Sequence, residues 1–411
     1  NHLDAALLAA ALRFYGDQPR EAWKRIRPLR NGAPRNPYVR LGAASIMNAR
    51  SWPRASEQEN RIALGLAPSL LAAQIAVAEA ALGRNEIAEA RARIAELAKL
   101  YPENSQVKRL QKELEAQTSW EIDAEVKPSN EKGGGSFGNS GNEIDASVRT
   151  LSPYIGDEWR IFYDATYSNA HPPEGFVDFQ RNALGAQFIK PDLVASAGVT
   201  QSFGSLTRTG ATGTLDWIAS DAIRLAFAGE RISSETPLRG LLHDITADSL
   251  SARFTYTWDE AHEASIGGSW LPFTDGNRRE TASVRYKQKV VAMPHFDVSV
   301  HGELYGSVNS LANVQPYYSP SGDGSATLGA EAEHVIWRRY ETSFVQALTL
   351  DGGWYGEREF KGGAIGTVNY EQRWRFDPWA EIVYGGYISA RMYDGAGARV
   401  IGAFITLRKK F

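Results

Sequence analysis

The stretch ARVIGAFITLRKKF, residues 398–411, decides the fold that the sequence predicts. Successive side chains of an extended strand point to opposite faces, so every second residue shares a face. One face of this stretch is apolar and carries Ile401, Ala403, Ile405, Leu407 and Phe411. The opposite face is mixed and contains Thr406, and Lys409 interrupts the apolar series. This alternation is typical of a strand with lipid on one side and water on the other.

The same alternation recurs upstream, in sixteen runs of which the first covers residues 120–127. Tight turns such as Lys190-Pro191-Asp192 alternate with longer connections such as residues 309–324. Short turns at one end and long loops at the other are typical of outer-membrane barrels, and an even strand count returns both termini to the periplasm. The sequence therefore predicts a mainly β fold, a transmembrane antiparallel β-barrel of about 16 strands over residues 119–411. Its aromatic end resembles the signature that barrel-assembly machinery reads.

The front of the chain has a helical pattern with a different period. Pro34, Pro68 and Pro102 stand 34 residues apart, which is the period of a tetratricopeptide repeat. A generic array of helical hairpins would bury the same faces but gives no reason for this spacing. We therefore expect residues 1–118 to form tetratricopeptide-like helical repeats, the C-terminal end of a longer periplasmic array, with helices confined to this part. The repeats align small residues at equivalent positions: Ala10, Ala44 and Ala78, then Ala22, Ser56 and Ala90.

The composition limits the possible functions. No stretch approaches the roughly 18 consecutive apolar residues of a membrane-spanning helix. The absence of cysteine excludes disulfides and thiolate metal sites. The net charge of −3 conceals an asymmetry, because residues 1–118 hold 18 basic and 12 acidic side chains whereas residues 119–411 hold 27 and 36. The predicted barrel is thus acidic.

The face opposite the apolar one supplies candidate channel-lining residues. Its carboxylates are Asp164, Glu230, Glu263, Asp297, Glu303, Glu331, Glu333, Asp351, Glu371 and Glu381, and its cations include Arg160, Arg224, Arg253, Arg285, Lys287, Arg373 and Arg391. Such carboxylates either create a negative potential that attracts cationic solutes or form a salt-bridged wall without selectivity. Three aromatic residues of this face either stack on sugar rings or fill space: Tyr305, Trp379 and Tyr387.

A second set of aromatic residues falls on the predicted lipid face. They are Trp159, Tyr163, Tyr256, Trp258, Trp270, Tyr286, Tyr370 and Trp374. Amphipathic rings suit the headgroup level of a bilayer, so we interpret them as a membrane girdle and not as a soluble core.

No pattern of catalytic residues is present. The seven histidines lack metal-ligand spacing, and no hydrolase or phosphate-loop motif occurs. Acid pairs such as Glu331 with Glu333, or Glu357 with Glu359, share one face of a strand and most simply line it. We expect no enzyme activity, cofactor, metal site or nucleic-acid partner.

Helical repeats joined directly to a barrel of this size resemble the exopolysaccharide export porins, which include exporters of poly-β-1,6-N-acetylglucosamine, cellulose and Pel. The acidic barrel of 293 residues and its loop Glu235–Ser249, ETPLRGLLHDITADS, are most similar to the poly-β-1,6-N-acetylglucosamine porins. The resemblance implies a monomeric barrel in outer-membrane lipid that conducts a partly de-N-acetylated, cationic polysaccharide for biofilm formation. It also implies that the repeats recruit a periplasmic polysaccharide deacetylase. An exporter of cellulose or Pel, a phage-adsorption receptor and a diffusion porin remain alternatives.

Overall fold

The computed structural model describes residues 2–137 and 141–411. Residues before 119 form seven helices. They are α1 (His2–Tyr15), α2 (Pro19–Gly32), α3 (Pro37–Ala49), α4 (Pro53–Leu66), α5 (Leu71–Gly83), α6 (Ile87–Leu100) and α7 (Ser105–Thr118). None of the helices in the described residues is both long and apolar enough to cross a membrane.

The helices pair with a period of 34 residues. Asp17, Ser51 and Asn85 turn the chain between the two helices of successive pairs, and all three have left-handed backbone, with φ of 58°, 65° and 60°. The small residues that the alignment placed at close helix contacts are buried, at 5% exposure or less: Ala10, Ala22, Ala44, Ser56, Ala78 and Ala90. The helical segment therefore repeats one packing geometry three times.

The second part is a closed barrel of sixteen antiparallel strands in which β1 pairs with β16, as predicted. The strands are β1 (Glu121–Gly133), β2 (Gly141–Leu151), β3 (Trp159–Ala170), β4 (Val177–Lys190), β5 (Leu193–Gly204), β6 (Thr209–Ile218), β7 (Ile223–Arg231), β8 (Ser249–Asp259), β9 (His262–Pro272), β10 (Arg278–Met293), β11 (Phe296–Asn309), β12 (Gly322–Arg339), β13 (Thr342–Glu357), β14 (Gly363–Phe376), β15 (Ala380–Tyr393) and β16 (Ala396–Lys410). The first strand runs six residues beyond its predicted end at Lys127, because Pro128 interrupts hydrogen bonding without ending the strand.

Side chains alternate between the outer surface and the lumen. On β16, Ile401, Ile405 and Leu407 are exposed on the outer surface, at 49%, 51% and 39%. Ion pairs that skip a strand, such as Lys287 of β10 with Glu331 of β12, identify the concave face as the lumen. All eight aromatic residues predicted for the lipid face have outward parity in their strands.

The connections differ in length between the two ends of the barrel. Tight connections, including residues 191–192 and 294–295, lie at the end where α7 enters, which we term the turn end. The opposite, loop end carries longer connections such as residues 232–248 and 310–321. Here helix α8 (Leu238–Leu241) corrects the expectation that helices end before residue 119. It forms because Leu238 and Leu241 pack on Val177 and Phe179, a tertiary contact that local periodicity does not reveal.

Candidate functional site

The lumen wall from β11 to β15 carries carboxylates from one mouth of the barrel to the other. Asp297 and Glu381 lie at the turn end, and Asp323 and Glu357 lie at the loop end. Between them lie Glu303, Glu331, Glu333, Asp351 and Glu371. We term these nine residues the acid stripe.

Cations of the same wall pair with the stripe. Lys287 Nζ lies 2.6 Å from Glu331 Oε2, and Arg373 lies 2.6 Å from Glu371 and 3.6 Å from Glu333. The remaining Lys and Arg pairs are Lys289 with Asp297 at 2.7 Å, Arg285 with Glu303 at 3.3 Å, Arg375 with Glu381 at 3.0 Å and Arg408 with Glu381 at 4.0 Å. Asp351 instead bonds to His301, at 2.6 Å. The stripe is therefore a mosaic of opposite charges.

The predicted carboxylates on the other side of the lumen are also mostly paired. Asp164 lies 3.6 Å from Arg149 on the neighbouring strand. Glu230 of β7 lies 3.1 Å from Arg181 of β4, three strands away around the ring. Glu263 accepts a long hydrogen bond from Thr257 and has no ion pair among residues 2–137 and 141–411. Two interpretations of the lumen carboxylates were open, a negative potential and a salt-bridged wall. The structure contains the ion pairs that a salt-bridged wall requires.

A cavity of about 610 Å³ occupies the lumen beside β6 to β10. Small hydroxyl side chains such as Thr214, Ser251, Ser269 and Thr281 line it, together with the charged Arg149, Asp216, Glu235 and Arg253. Ser269 Oγ and Thr281 Oγ1 are hydrogen-bonded at 2.7 Å. This side of the lumen therefore offers hydroxyl groups beside two arginines and two carboxylates, and its strands adjoin those of the acid stripe.

The three predicted sugar-stacking residues occupy different places. Tyr305 faces the lumen and accepts a hydrogen bond from Arg279 at 3.1 Å. Tyr387 also faces the lumen, where its ring occupies the space that a side chain at Gly402 on the next strand would fill. Trp379 is not on the lumen wall, because it lies in the turn before β15 begins at Ala380. Its prediction as a lumen residue was wrong because the strand was predicted to begin at residue 378, two residues before its start at Ala380.

The turn-end mouth contains charged residues that the prediction missed. Arg408 of β16 lies 2.8 Å from Asp123 and 3.8 Å from Glu121, both on β1. Glu125 on the same strand accepts a hydrogen bond from Thr406 at 3.1 Å. The alternation of acids in EIDAE, residues 121–125, was a sufficient signal for this cluster.

Loops from separate parts of the ring meet over the loop-end mouth. Arg239, in the β7–β8 loop, bonds to Glu174 of the β3–β4 loop and to the Ser136 carbonyl of the β1–β2 loop. Phe137 beside Ser136 packs on Tyr318 of the β11–β12 loop, with ring centroids 5.7 Å apart. Because these loops leave strands far apart around the ring, their contacts place them across the mouth.

The helical segment docks on the turn end through arginines. Arg84 lies 2.6 Å from Asp192 in the β4–β5 turn, and Arg54 lies 2.9 Å from the same carboxylate. Arg54 and Ala55 also donate backbone hydrogen bonds to Asp221 of the β6–β7 turn, at 2.8 and 3.0 Å. The helices are therefore held against the mouth that the chain enters.

A family model described as the PgaA membrane beta barrel domain matches residues 116–411. The chain is 25% identical over 404 residues to the poly-beta-1,6-N-acetyl-D-glucosamine export proteins of Escherichia coli strain K12 and Escherichia coli O157:H7. These alignments cover 95% of this chain and 48% of each relative, so the chain spans about half their length. A solved bacterial polysaccharide outer membrane secretin shares the fold, with a TM-score of 0.65, 20% identity and coverage of 72% of this chain and 99% of that one.

Proposed function

Because the chain belongs to the family of the PgaA membrane beta barrel domain, we propose that it exports an exopolysaccharide of the poly-β-1,6-N-acetylglucosamine type. The barrel lies in the outer membrane, and in this proposal its turn end faces the periplasm. The polymer enters beside the docked helices, passes along the acid stripe and leaves between the loops, where it supports a biofilm. The relatives are export proteins, in agreement with the expectation that the chain is not an enzyme.

The observation that carries the proposal is the continuity of the acid stripe. A surface receptor for phage needs features only on its outer loops, and it has no need for charge along a whole lumen wall. Export of a long polymer requires binding groups at every level of the channel, since the chain occupies the channel throughout its passage. The stripe supplies such groups from Asp297 and Glu381 at the turn end to Asp323 and Glu357 at the loop end.

The ion pairs of the stripe suit a moving, partly de-N-acetylated polymer. Glu331 is held by Lys287, so a glucosamine ammonium binds it only by displacing that cation. Exchange of one cation for another releases little free energy, which keeps each binding site weak and lets the polymer advance. The N-acetylated units make hydrogen bonds with the wall formed by β6 to β10, at hydroxyl groups such as those of Ser251 and Thr281.

In the same proposal the helical segment recruits a periplasmic polysaccharide deacetylase. Residues 1–118 carry an excess of basic side chains, and stacked helical repeats commonly present a concave surface to protein partners. Deleting residues 1–104 should leave a barrel that inserts normally but secretes less polymer. Secretion at the full rate by this truncated barrel would remove the recruitment role.

The test of the proposed function is deletion of the gene in the producing bacterium. We expect β-1,6-linked glucosamine polymer to disappear from the medium and to accumulate in the periplasm, with recovery on complementation. Loss of a β-1,4-linked glucan instead would favour a cellulose exporter. Unchanged secretion together with loss of phage adsorption would favour the receptor.

A further inference from the structure

The 34-residue period makes residues of the three helix pairs structurally equivalent. Asp17, Ser51 and Asn85 all occupy the same left-handed turn, so the turns within the pairs lie along one edge of the array. We term this the turn edge; it comprises residues 13–20, 50–54 and 84–88. A residue and its counterpart 34 positions later thus face the same way.

In the second and third pairs the turn edge binds the barrel, and its contacts progress around the rim. Arg84 contacts the β4–β5 turn at Asp192, and Arg54 contacts that turn and the next at Asp221. Arg50 then contacts the β8–β9 turn, with Asp259 at 2.9 Å and Glu260 at 3.0 Å. In these two pairs each arginine of the edge therefore has a carboxylate partner on the barrel.

The progression ends at the outer wall of the barrel. Trp52 Nε1 donates a hydrogen bond of 3.2 Å to the carbonyl of Trp258, whose side chain is 47% exposed on the outer surface. There Trp258 packs with Tyr256 at 4.7 Å, as part of the aromatic girdle. Trp23 of the first pair packs in turn on Trp52, with ring centroids 5.5 Å apart. The first helix pair therefore lies next to the outer edge of the barrel rim, beside the surface that faces the bilayer.

The first pair carries cations without a partner on the barrel. Arg20 is the counterpart of Arg54, and Arg27 lies on the same side of α2, at i−3 and i+4 from Trp23. Both are exposed and have no ion pair within residues 2–137 and 141–411. No hydrogen bond or ion pair joins residues 2–49 to the barrel in the part of the chain that the structure describes.

We propose that the first pair binds the anionic phospholipid headgroups of the leaflet around the turn end, with Arg20 on the turn edge and Arg27 two helical turns further along the same side of α2 as the contacts. The lipid phosphates surround the rim of the barrel. They bind the arginines of the first pair as Asp192 and Asp221 bind Arg54. Arginine pairs readily with phosphate, and a basic surface near an anionic leaflet is attracted to it. An acidic protein partner would leave unexplained why the basic edge starts beside the lipid-facing Trp258. The inference is independent of which polymer is carried.

The test uses the full protein in nanodiscs of phosphatidylethanolamine with either phosphatidylglycerol or phosphatidylcholine. The native chain has no cysteine, so Gln18→Cys on the turn edge and Asn31→Cys at the far end of α2 each give one labelling site. A fluorophore at position 18 should be quenched by headgroup nitroxides several-fold more than one at position 31, and only with phosphatidylglycerol. The double variant Arg20→Gln, Arg27→Gln should lose this difference while the folded barrel fraction stays normal.

Equal quenching at the two positions would overturn the proposal, as would quenching unaffected by phosphatidylglycerol or by the double variant. If position 18 stays unquenched while the double variant loses binding of an acidic periplasmic protein, the edge is a protein-docking site and the lipid assignment is wrong. The quenching measurement does not depend on polymer export. The lipid proposal and the export proposal can therefore be contradicted independently.

Discussion

His301 Nε2 and Asp351 Oδ1 lie 2.6 Å apart although their strands, β11 and β13, are not neighbours. The residue between them on β12 is Gly329, which is in register with both. A Cβ atom at Gly329 would overlap both the carboxylate and the imidazole. The absence of a side chain at this one position therefore allows the contact that crosses β12 in the acid stripe.

Gly329→Ala should destabilise the barrel by about 1–3 kcal/mol, the usual cost of forcing extra atoms into a packed site. The reason is that the added methyl group must displace His301, which is 7% exposed, from Asp351. The midpoint of urea unfolding, followed by heat-modifiable mobility on gels, measures the change. Gly352→Ala is the control, since a Cβ there meets nothing within 4 Å. Equal midpoints for the two variants would show that the glycine is not required.

The facing of β16 predicts a difference between two adjacent lysine substitutions. Ile405→Lys places a charge on the lipid face, which costs roughly 2–4 kcal/mol at the membrane midplane. Thr406→Lys places the same charge in the lumen, where Glu125 accepts a hydrogen bond from Thr406 in the native chain. Membrane yields of folded barrel should fall only for Ile405→Lys. Similar yields would contradict the assigned facing.

Much of the fold follows from local alternation, whereas the pairing in the lumen does not. Parity along each strand places Glu331 and Glu371 in the lumen without knowledge of the fold. The ion pairs of Glu331 and Glu333 connect side chains of non-adjacent strands, so the partners depend on barrel curvature and on small residues such as Gly329. Helix α8 was missed for a similar reason, since its stability comes from Val177 and Phe179 on a distant strand.

Arg239 should act as a latch over the outer mouth, because it joins the β7–β8 loop to Glu174 and to the Ser136 carbonyl. Arg239→Gln should increase single-channel conductance in planar bilayers. Arg208→Gln is the control, since Arg208 pairs with Asp244 of the adjacent loop, at 2.9 Å. Equal conductance of the two variants would rule out the latch.

The same latch should depend on pH. The hydrogen bond from Arg239 lowers the pKa of Glu174 below its ordinary value of 4.5. A lowered pKa means that the contact contributes fully above the ordinary value and is lost as the pH falls through the lowered one. Conductance of the native channel should therefore rise as the pH falls from above this ordinary value to well below it, and the conductance of Arg239→Gln should lack this rise.

Blockade of the open channel by short β-1,6-linked glucosamine oligomers tests most directly whether the acid stripe binds a cationic glycan. Oligomers with free amines should block the current from the turn end at lower concentration than N-acetylated ones. Lys287→Gln frees Glu331 and should strengthen the block up to about fivefold, since an exposed ion pair contributes roughly 0.2–1 kcal/mol. Glu331→Gln should weaken the block, and the double variant should return it toward the native value. Equal block by the two kinds of oligomer, or block unchanged in all three variants at normal conductance, would contradict the account.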